Sequence, residues 1–411
     1  MRRLHPLAII GPGLLVAATG VGAGDLAGAG IAGAKLGVAV LWAVVVGALL
    51  KFALTEGLAR WQIATGTTIL EGACRWLGWP AKIIFVAYLL LWSFFVGRAL
   101  MSACGVATQA IIPFPWTIAP METSAETGKV IYGAAHSAIG LILVWLGGYR
   151  LFEKVMSAAV AVMFVSVVAT ALLIGPDWGE VGRGLIPSRP QDTPSLRVTI
   201  ALIGGVGGTL TILSYGYWIR ERHRSGEQAM GVCRIDLAVG YAFTAIFGMA
   251  MVIIASGITL DARGAQLLVE LAARVEDVAG PAGRWVFLLG AWAAVASSLL
   301  GVWQSVPLIF ADWWRLTAGA GEVSERSRPY RVYLIALALA PCAGLLAPFK
   351  TAQVAYTYTG AWFVPLLAVA LLLLGGRSRW MGPLRNGPVA TTALVVALAL
   401  SAGAAWLEIT G

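Results

Sequence analysis

Asp25 is the side chain with the most chemistry to offer in this chain. It closes the stretch Gly20-Val21-Gly22-Ala23-Gly24-Asp25 inside a long apolar run. An ionisable group in a membrane interior costs about 3 kcal/mol or more and marks a functional position by default. A carboxylate there can bind a cation together with backbone carbonyls freed by local unwinding. It can also cap the helix that restarts after the glycines. About 185 residues later a second apolar run reads Gly204-Gly205-Val206-Gly207-Gly208-Thr209, with Thr211 close behind. Each glycine weakens a helix by about 1 kcal/mol relative to alanine. Backbone released inside a bilayer must find partners or line a cavity. Two interrupted spans in matching positions are the sequence mark of a midplane site in an inverted-repeat transporter. The expected binding residues are Gly22, Asp25, Gly207, Gly208, Thr209 and Thr211, with Asp25 the metal ligand. Gly20, Gly24 and Gly28 have a competing use, because their spacing of four makes one small face for close helix packing.

Other charged groups lie in apolar surroundings. Arg98, within Phe94-Phe95-Val96-Gly97-Arg98-Ala99-Leu100, cannot shed its charge. It needs a carboxylate, carbonyls or an anionic substrate, and Asp25 and Glu56 are its expected partners. Lys51 and Glu56 share one span, five apart, and either can pair with Arg98 or Asp236. Asp236 and Asp312 fall near span ends, beside Arg234 and Arg315, as gate or interfacial pairs. Tyr215 and Thr359 flank the expected pathway.

These residues need a membrane scaffold to position them. The chain has 411 residues, of which 59% are hydrophobic and 12% charged, against about 25% charged in a soluble domain. Eleven spans are expected, near 7–35, 38–62, 80–111, 128–149, 153–175, 196–220, 230–257, 282–314, 330–348, 351–375 and 387–408, the first and sixth broken. Asp261 to Asp277 reads as a short helix on the membrane surface. Spans one to five (7–175) and six to ten (196–375) form two halves, inverted because each holds an odd number, and the eleventh is an addition. The fold class is an all-α integral membrane protein, one transport domain over the whole chain.

With the N-terminus in the cytoplasm, 18 of the 29 Lys and Arg fall in loops on that side and nine on the other. This bias favours the N-terminus in and the C-terminus out, and the expected location is the cell (inner or plasma) membrane. The net charge of +9 is therefore a topology signal and requires no nucleic acid. The apolar start after Met1-Arg2-Arg3 lacks a convincing cleavage site and is read as mature protein. Four scattered cysteines fit neither a zinc cage nor a disulfide framework. No Gly-x-Ser-x-Gly or His-Glu-x-x-His occurs, so neither an enzyme nor a cofactor is expected. The expected partners are the bilayer and a small ion or solute, for a monomer or weak homo-oligomer.

Gly11-Pro12-Gly13-Leu14-Leu15-Val16, Ile31-Ala32-Gly33-Ala34-Lys35-Leu36-Gly37 with Leu41-Trp42, and Ala64-Thr65-Gly66 resemble the NRAMP family of divalent-metal transporters. Gln353-Val354 adds a weaker match. The resemblance implies a LeuT-type fold of five-plus-five inverted repeats. The family's first-span Asp-Pro-Gly-Asn falls on Gly22-Ala23-Gly24-Asp25, so a carboxylate is kept but moved three residues. Its sixth-span Met-Pro-His falls near Gly208-Thr209-Leu210, and its acidic third-span residues are absent, with Arg98 in that span instead. One carboxylate, threonines and free carbonyls suit a partly hydrated magnesium or manganese ion better than selective iron uptake. The alternative is a small anion or zwitterion, held by Arg98 and the positive ends of the half-helices.

Overall fold

The computed structural model describes residues 11–190, 192–257, 265–319 and 321–410, with the backbone alone at 23–25, 265–267, 349–350, 405 and 408–410. In chain order the helices are α1 (Pro12–Gly20), α2 (Ala23–Leu36), α3 (Leu41–Thr65), α4 (Ile69–Leu77), α5 (Trp79–Ile111), α6 (Ser124–Leu173), α7 (Trp178–Gly184) and α8 (Thr193–Gly205). They continue as α9 (Ser214–Glu221), α10 (Gln228–Ala255), α11 (Ala265–Ala318), α12 (Arg328–Leu339), α13 (Phe349–Ala361), α14 (Phe363–Gly375), α15 (Ser378–Met381) and α16 (Pro388–Thr410). No strand occurs among the described residues.

Both expected interruptions are present. Pro12 opens α1, where its missing N–H costs nothing. The helix stops at Gly20, Val21 leaves helical geometry, and α2 restarts after Gly22. In the second half, α8 begins at a cap in which the Asp192 carboxylate accepts from the Ser195 amide at 2.7 Å. It ends at Gly205, and Gly207 (φ 80°) and Gly208 (φ 85°) then take left-handed conformations. Two such residues in a row are accessible to glycine at little steric cost. A 3-10 turn over Leu210–Leu213 leads into α9.

Seven helical stretches among the described residues are long and apolar enough to cross a bilayer. Three of them run to 40 residues or more and exceed one crossing: Leu26–Thr65, which takes in most of α2 with α3, then α6 and α11. At 1.5 Å per residue, a 50-residue helix such as α6 is about 75 Å long, against an apolar core of about 30 Å. α6 turns at Gly148 (φ 55°) and α11 at Gly280 (φ 70°), so each merges two sequence segments. α12 has only 12 residues and falls short of that length. The expected surface helix is the first part of α11, with 258–264 outside the described residues. Leu268, Leu271 and Val275 are buried inside the protein, where a membrane-surface helix would bury them in lipid.

Small residues set the spacing of the bundle. α10 packs against α1, α2 and α3, while α11 packs against α5 and α6. Where α1 crosses α10, a Cβ at Gly13 would lie 2.2 Å from the Asp236 carbonyl oxygen, and one at Gly240 2.3 Å from the Gly13 oxygen. Close backbone approach of this kind is how membrane helices gain contact without a hydrophobic drive between them. Gly28 has no neighbour within 4 Å, so the expected small face of Gly20, Gly24 and Gly28 does not form a continuous helix contact. Exposed tryptophans at or near helix ends (Trp79, Trp116, Trp178, Trp362 and Trp406) suit the two membrane interfaces.

Gly13→Ala and Gly240→Ala are each expected to reduce sharply the yield of folded, monodisperse protein, because the new methyl meets backbone. Gly205→Ala, with nothing within 4 Å, is expected to be tolerated. Size-exclusion profiles and thermal unfolding of the three variants check this, and equal behaviour would contradict the packing account.

Candidate functional site between two helix breaks

The two breaks touch. A Cβ at Gly20 would lie 2.6 Å from the Gly207 carbonyl carbon and 2.8 Å from the Gly208 nitrogen. From the other side, a Cβ at Gly208 would lie 2.9 Å from the Gly20 Cα. Only glycine on both segments permits this approach. It places Gly22, Gly207 and Gly208 in one buried region, with Thr209 and Thr211 beside them. Asp25 falls in the first turn of α2, directly after the first break, and its side chain lies outside the described residues.

The released backbone finds specific partners. The Ser298 hydroxyl of α11 donates to the Thr19 carbonyl at 2.7 Å, and a Cβ at Gly22 would lie 2.3 Å from that hydroxyl oxygen. The buried Lys51 ammonium of α3 donates to the Gly204 carbonyl at 2.9 Å and to the Gly208 carbonyl. The Trp92 indole N–H donates to Thr209 Oγ1 at 3.2 Å. A Cβ at Gly360 of α13 would lie 3.0 Å from Thr209 Cγ2, which brings neighbouring Thr359 to the edge of the site. Thr359 itself bonds its own helix through the Ala355 carbonyl. Ser298 and Trp92 were not among the expected residues. The spacing of Ser298, Gly301 and Ser305 on one small helical face was a signal for the first, since a Cβ at Gly301 would meet Thr19 Oγ1 at 2.0 Å. Nothing in the sequence distinguishes Trp92 from the other tryptophans.

The charged residues are arranged differently from the sequence expectation. Glu56 pairs with Arg60 at 2.6 Å and Arg234 at 3.0 Å, and has no bond to Arg98. The turn from residue 56 to 60 makes Arg60 the nearer partner on the same helix. Arg98 packs along Gly344, with its Cδ 2.5 Å from where a Cβ would be. Its Nε and Nη2 have no hydrogen-bond partner among the described residues. Lys129 donates to the Ala347 carbonyl in the same connection. His136 bonds the Tyr132 carbonyl and Trp292, a locally satisfied, half-buried histidine. No group of three or more His, Cys, Asp and Glu side chains converges among the described residues.

Tyr215 belongs to a network at the arginine-rich end of the bundle, away from the breaks. Buried Asp236 accepts from the Gly11 and Gly13 amides at 3.0 and 2.9 Å, from Tyr215 Oη at 3.2 Å and from Arg224 at 2.6 Å. A carboxylate from α10 thus caps α1, where the positive end of the helix favours it. Burial by itself would lower the Arg224 pKa, but Asp236 holds it above its ordinary value. Tyr217, the other tyrosine of α9, donates to Asp312 at 2.9 Å, and Arg315 joins Asp312 to Glu71. The Gln62 amide donates to the Gly216 carbonyl at 2.6 Å. Both half-helices that lead to this end, α1 and α9, are therefore tied to their neighbours.

Residues 13–410 match the family described as natural resistance-associated macrophage protein-like, Nramp. The chain belongs to the Nramp family. A divalent metal cation transporter MntH of Mycobacterium tuberculosis is 25% identical over 310 residues, covering 73% of this chain and 69% of the relative. A protein of the same name from Acidiphilium cryptum is 26% identical over 314 residues, covering 72% and 68%. A manganese transporter of Eremococcus coleocola, solved as a point mutant, superposes with a TM-score of 0.76 at 16% identity, covering 98% of this chain and 86% of that one. MhsT in complex with L-phenylalanine gives 0.60 at 15% identity, covering 96% and 98%. At these identities the structural likenesses speak for the fold alone. This Nramp-family chain is a multi-pass membrane protein of the LeuT-type fold, and its family is one of transporters.

Removing one partner from a buried ion pair costs about 3–5 kcal/mol. Asp236→Ala is expected to lower thermal stability and to loosen α1 from α10. Cys233, fully buried beside Asp236, reports on this directly. In a background with Cys74, Cys104 and Cys342 replaced by alanine, maleimide should label Cys233 faster in the Asp236→Ala protein. Unchanged labelling would contradict the role given to this network.

Proposed function

We propose that this chain is a secondary-type transporter that carries a divalent metal cation by alternating access, with magnesium or manganese favoured over selective iron uptake. The observation that carries the reading is the contact between the two helix breaks, at Gly20 against Gly207 and Gly208. Membership of the Nramp family and the names of the relatives support the class of cargo. The proposed binding residues are Gly22, Asp25, Gly207, Gly208, Thr209 and Thr211, with Asp25 supplying the carboxylate. With the Gly208 carbonyl taken by Lys51, Gly208 lines the site through its close backbone, and the donors are the Asp25 carboxylate, threonine hydroxyls and other carbonyls. This set is all oxygen, which suits a hard ion that keeps part of its water shell. It departs from the metal motifs expected for the family, and the departure is the reason for favouring magnesium or manganese. The proposed topology has eleven crossings in two inverted halves, 7–175 and 196–375, with the N-terminus in the cytoplasm. The network around Asp236 and Asp312 then lies at the cytoplasmic end. The membrane potential contributes about 2.3 kcal/mol per charge per 100 mV to inward movement.

A second reading, a small anion or zwitterion on the same fold, is favoured by one specific feature. Positive charge stands at the second break in Lys51, and Arg98 carries guanidinium nitrogens that have no partner among the described residues.

Uptake by purified protein in liposomes under an inside-negative potential tests the first reading. Saturable uptake of magnesium or manganese is expected, with at least about a tenfold loss in Asp25→Ala, equivalent to about 1.4 kcal/mol. Absence of uptake of both ions by folded protein would overturn it in favour of the second reading, for which Arg98→Gln is the variant to compare.

A further inference from the structure

The second break is already filled by a cation, and that cation belongs to the chain. Lys51 is 1% exposed. In an unbroken helix the Gly204 carbonyl would accept from the amide four residues on. Here the chain turns away through two left-handed glycines, and Gly204 accepts from the Lys51 ammonium at 2.9 Å. The same ammonium bonds the Gly208 carbonyl. It therefore bridges the end of α8 to the far side of the break. The C-terminal end of a half-helix carries about half a negative charge, which favours a cation at this position. Unwound carbonyls together with a half-helix C-terminus are the donors by which broken-helix transporters hold a small monovalent ion. The stem of Lys51 is built in as well. A Cβ at Gly207 would lie 3.3 Å from Lys51 Cγ and 3.1 Å from the Tyr241 ring, and Tyr241 is fixed by a 2.6 Å bond to Thr55.

We propose that the Gly204 and Gly208 carbonyls form a monovalent-cation site whose resident occupant is the Lys51 ammonium, a tethered substitute for a free co-ion. Lys51 holds α8 and the start of the next half-helix in the broken arrangement at every stage of ion availability. This chain accordingly requires no dissolved monovalent cation at the second break. The inference concerns the same break as the proposed function but does not depend on the identity of the cargo, because the readout below involves no divalent metal.

Thermal unfolding of purified protein tests it, in choline, sodium, potassium and n-butylammonium chlorides at equal ionic strength. The wild-type midpoint is expected to be the same in all four. Lys51→Ala is expected to melt several degrees lower in choline, which has no N–H and is too bulky for the site. The variant should recover at least half of that loss, saturably, in sodium, potassium or n-butylammonium. A loss that no small cation restores would overturn the proposal, as would a wild-type midpoint that rises equally with the same cations. Lys51→Met keeps the stem and removes only the charged group, so it decides the matter if the alanine protein does not fold. A methionine variant as stable as wild type in choline overturns the proposal, and a lowered midpoint supports it. Failure of the metal reading appears only in the uptake assay and leaves these curves unchanged.

Discussion

Backbone amides and carbonyls inside a bilayer have no water to turn to, and this structure breaks two helices at the point where they touch. The contact of Gly20 with Gly207 and Gly208 is possible only without side chains, and it places both sets of released peptide groups in one buried region. The Thr19, Gly204 and Gly208 carbonyls are satisfied from other helices, and the Thr209 hydroxyl beside them accepts from a third. Ser298 comes from α11, Lys51 from α3 and the Trp92 donor from α5. A leftover buried carbonyl would cost about 1–3 kcal/mol. The breaks therefore fix the rotation of three surrounding helices as well as their own geometry.

The breaks also divide each span into two short levers. α1 and α9 run from the contact to the arginine-rich end, and there each is gripped by a buried carboxylate, Asp236 and Asp312 respectively. Asp236 accepts four hydrogen bonds, two of them from the first turn of α1. A fully satisfied buried charge of this kind specifies one arrangement strongly, and losing any partner is costly. Movement of α1 would require the bonds to Asp236 to be exchanged, and movement of α9 the bond to Asp312. Lys51 sits at the opposite end of the same levers and bridges the second break.

Local composition made the glycine breaks legible. Gly207 and Gly208 adopt conformations that other residues resist, and four glycines in five residues announce this without any tertiary information. Helix termini such as the Asp192 cap and Pro12 at the head of α1 are likewise local. Partners of buried charges are not. Glu56 was expected to meet Arg98, but the distance along a helix favours Arg60, and Arg98 lies against Gly344 far along the chain. Lys51 was visible as a charge in an apolar run, yet its acceptors are carbonyls, which every residue has and no sequence marks. The boundary between the expected fourth and fifth spans has no loop in the sequence to mark it, because one glycine with positive φ, Gly148, is enough to turn the backbone between them. The segment before Gly280 had the right helical spacing of leucines, but periodicity does not say whether lipid or protein covers the apolar face.

On this reading the paired breaks form the binding site for the transported ion. Anomalous diffraction from crystals grown with manganese tests it most directly. The expected result is one strong peak beside the backbone of Gly22 to Asp25 and Gly207 to Thr209, within ligand distance of the Asp25 carboxylate and lost in Asp25→Ala crystals. A strong peak elsewhere in the protein, with the region between the breaks empty at saturating manganese, would contradict the account.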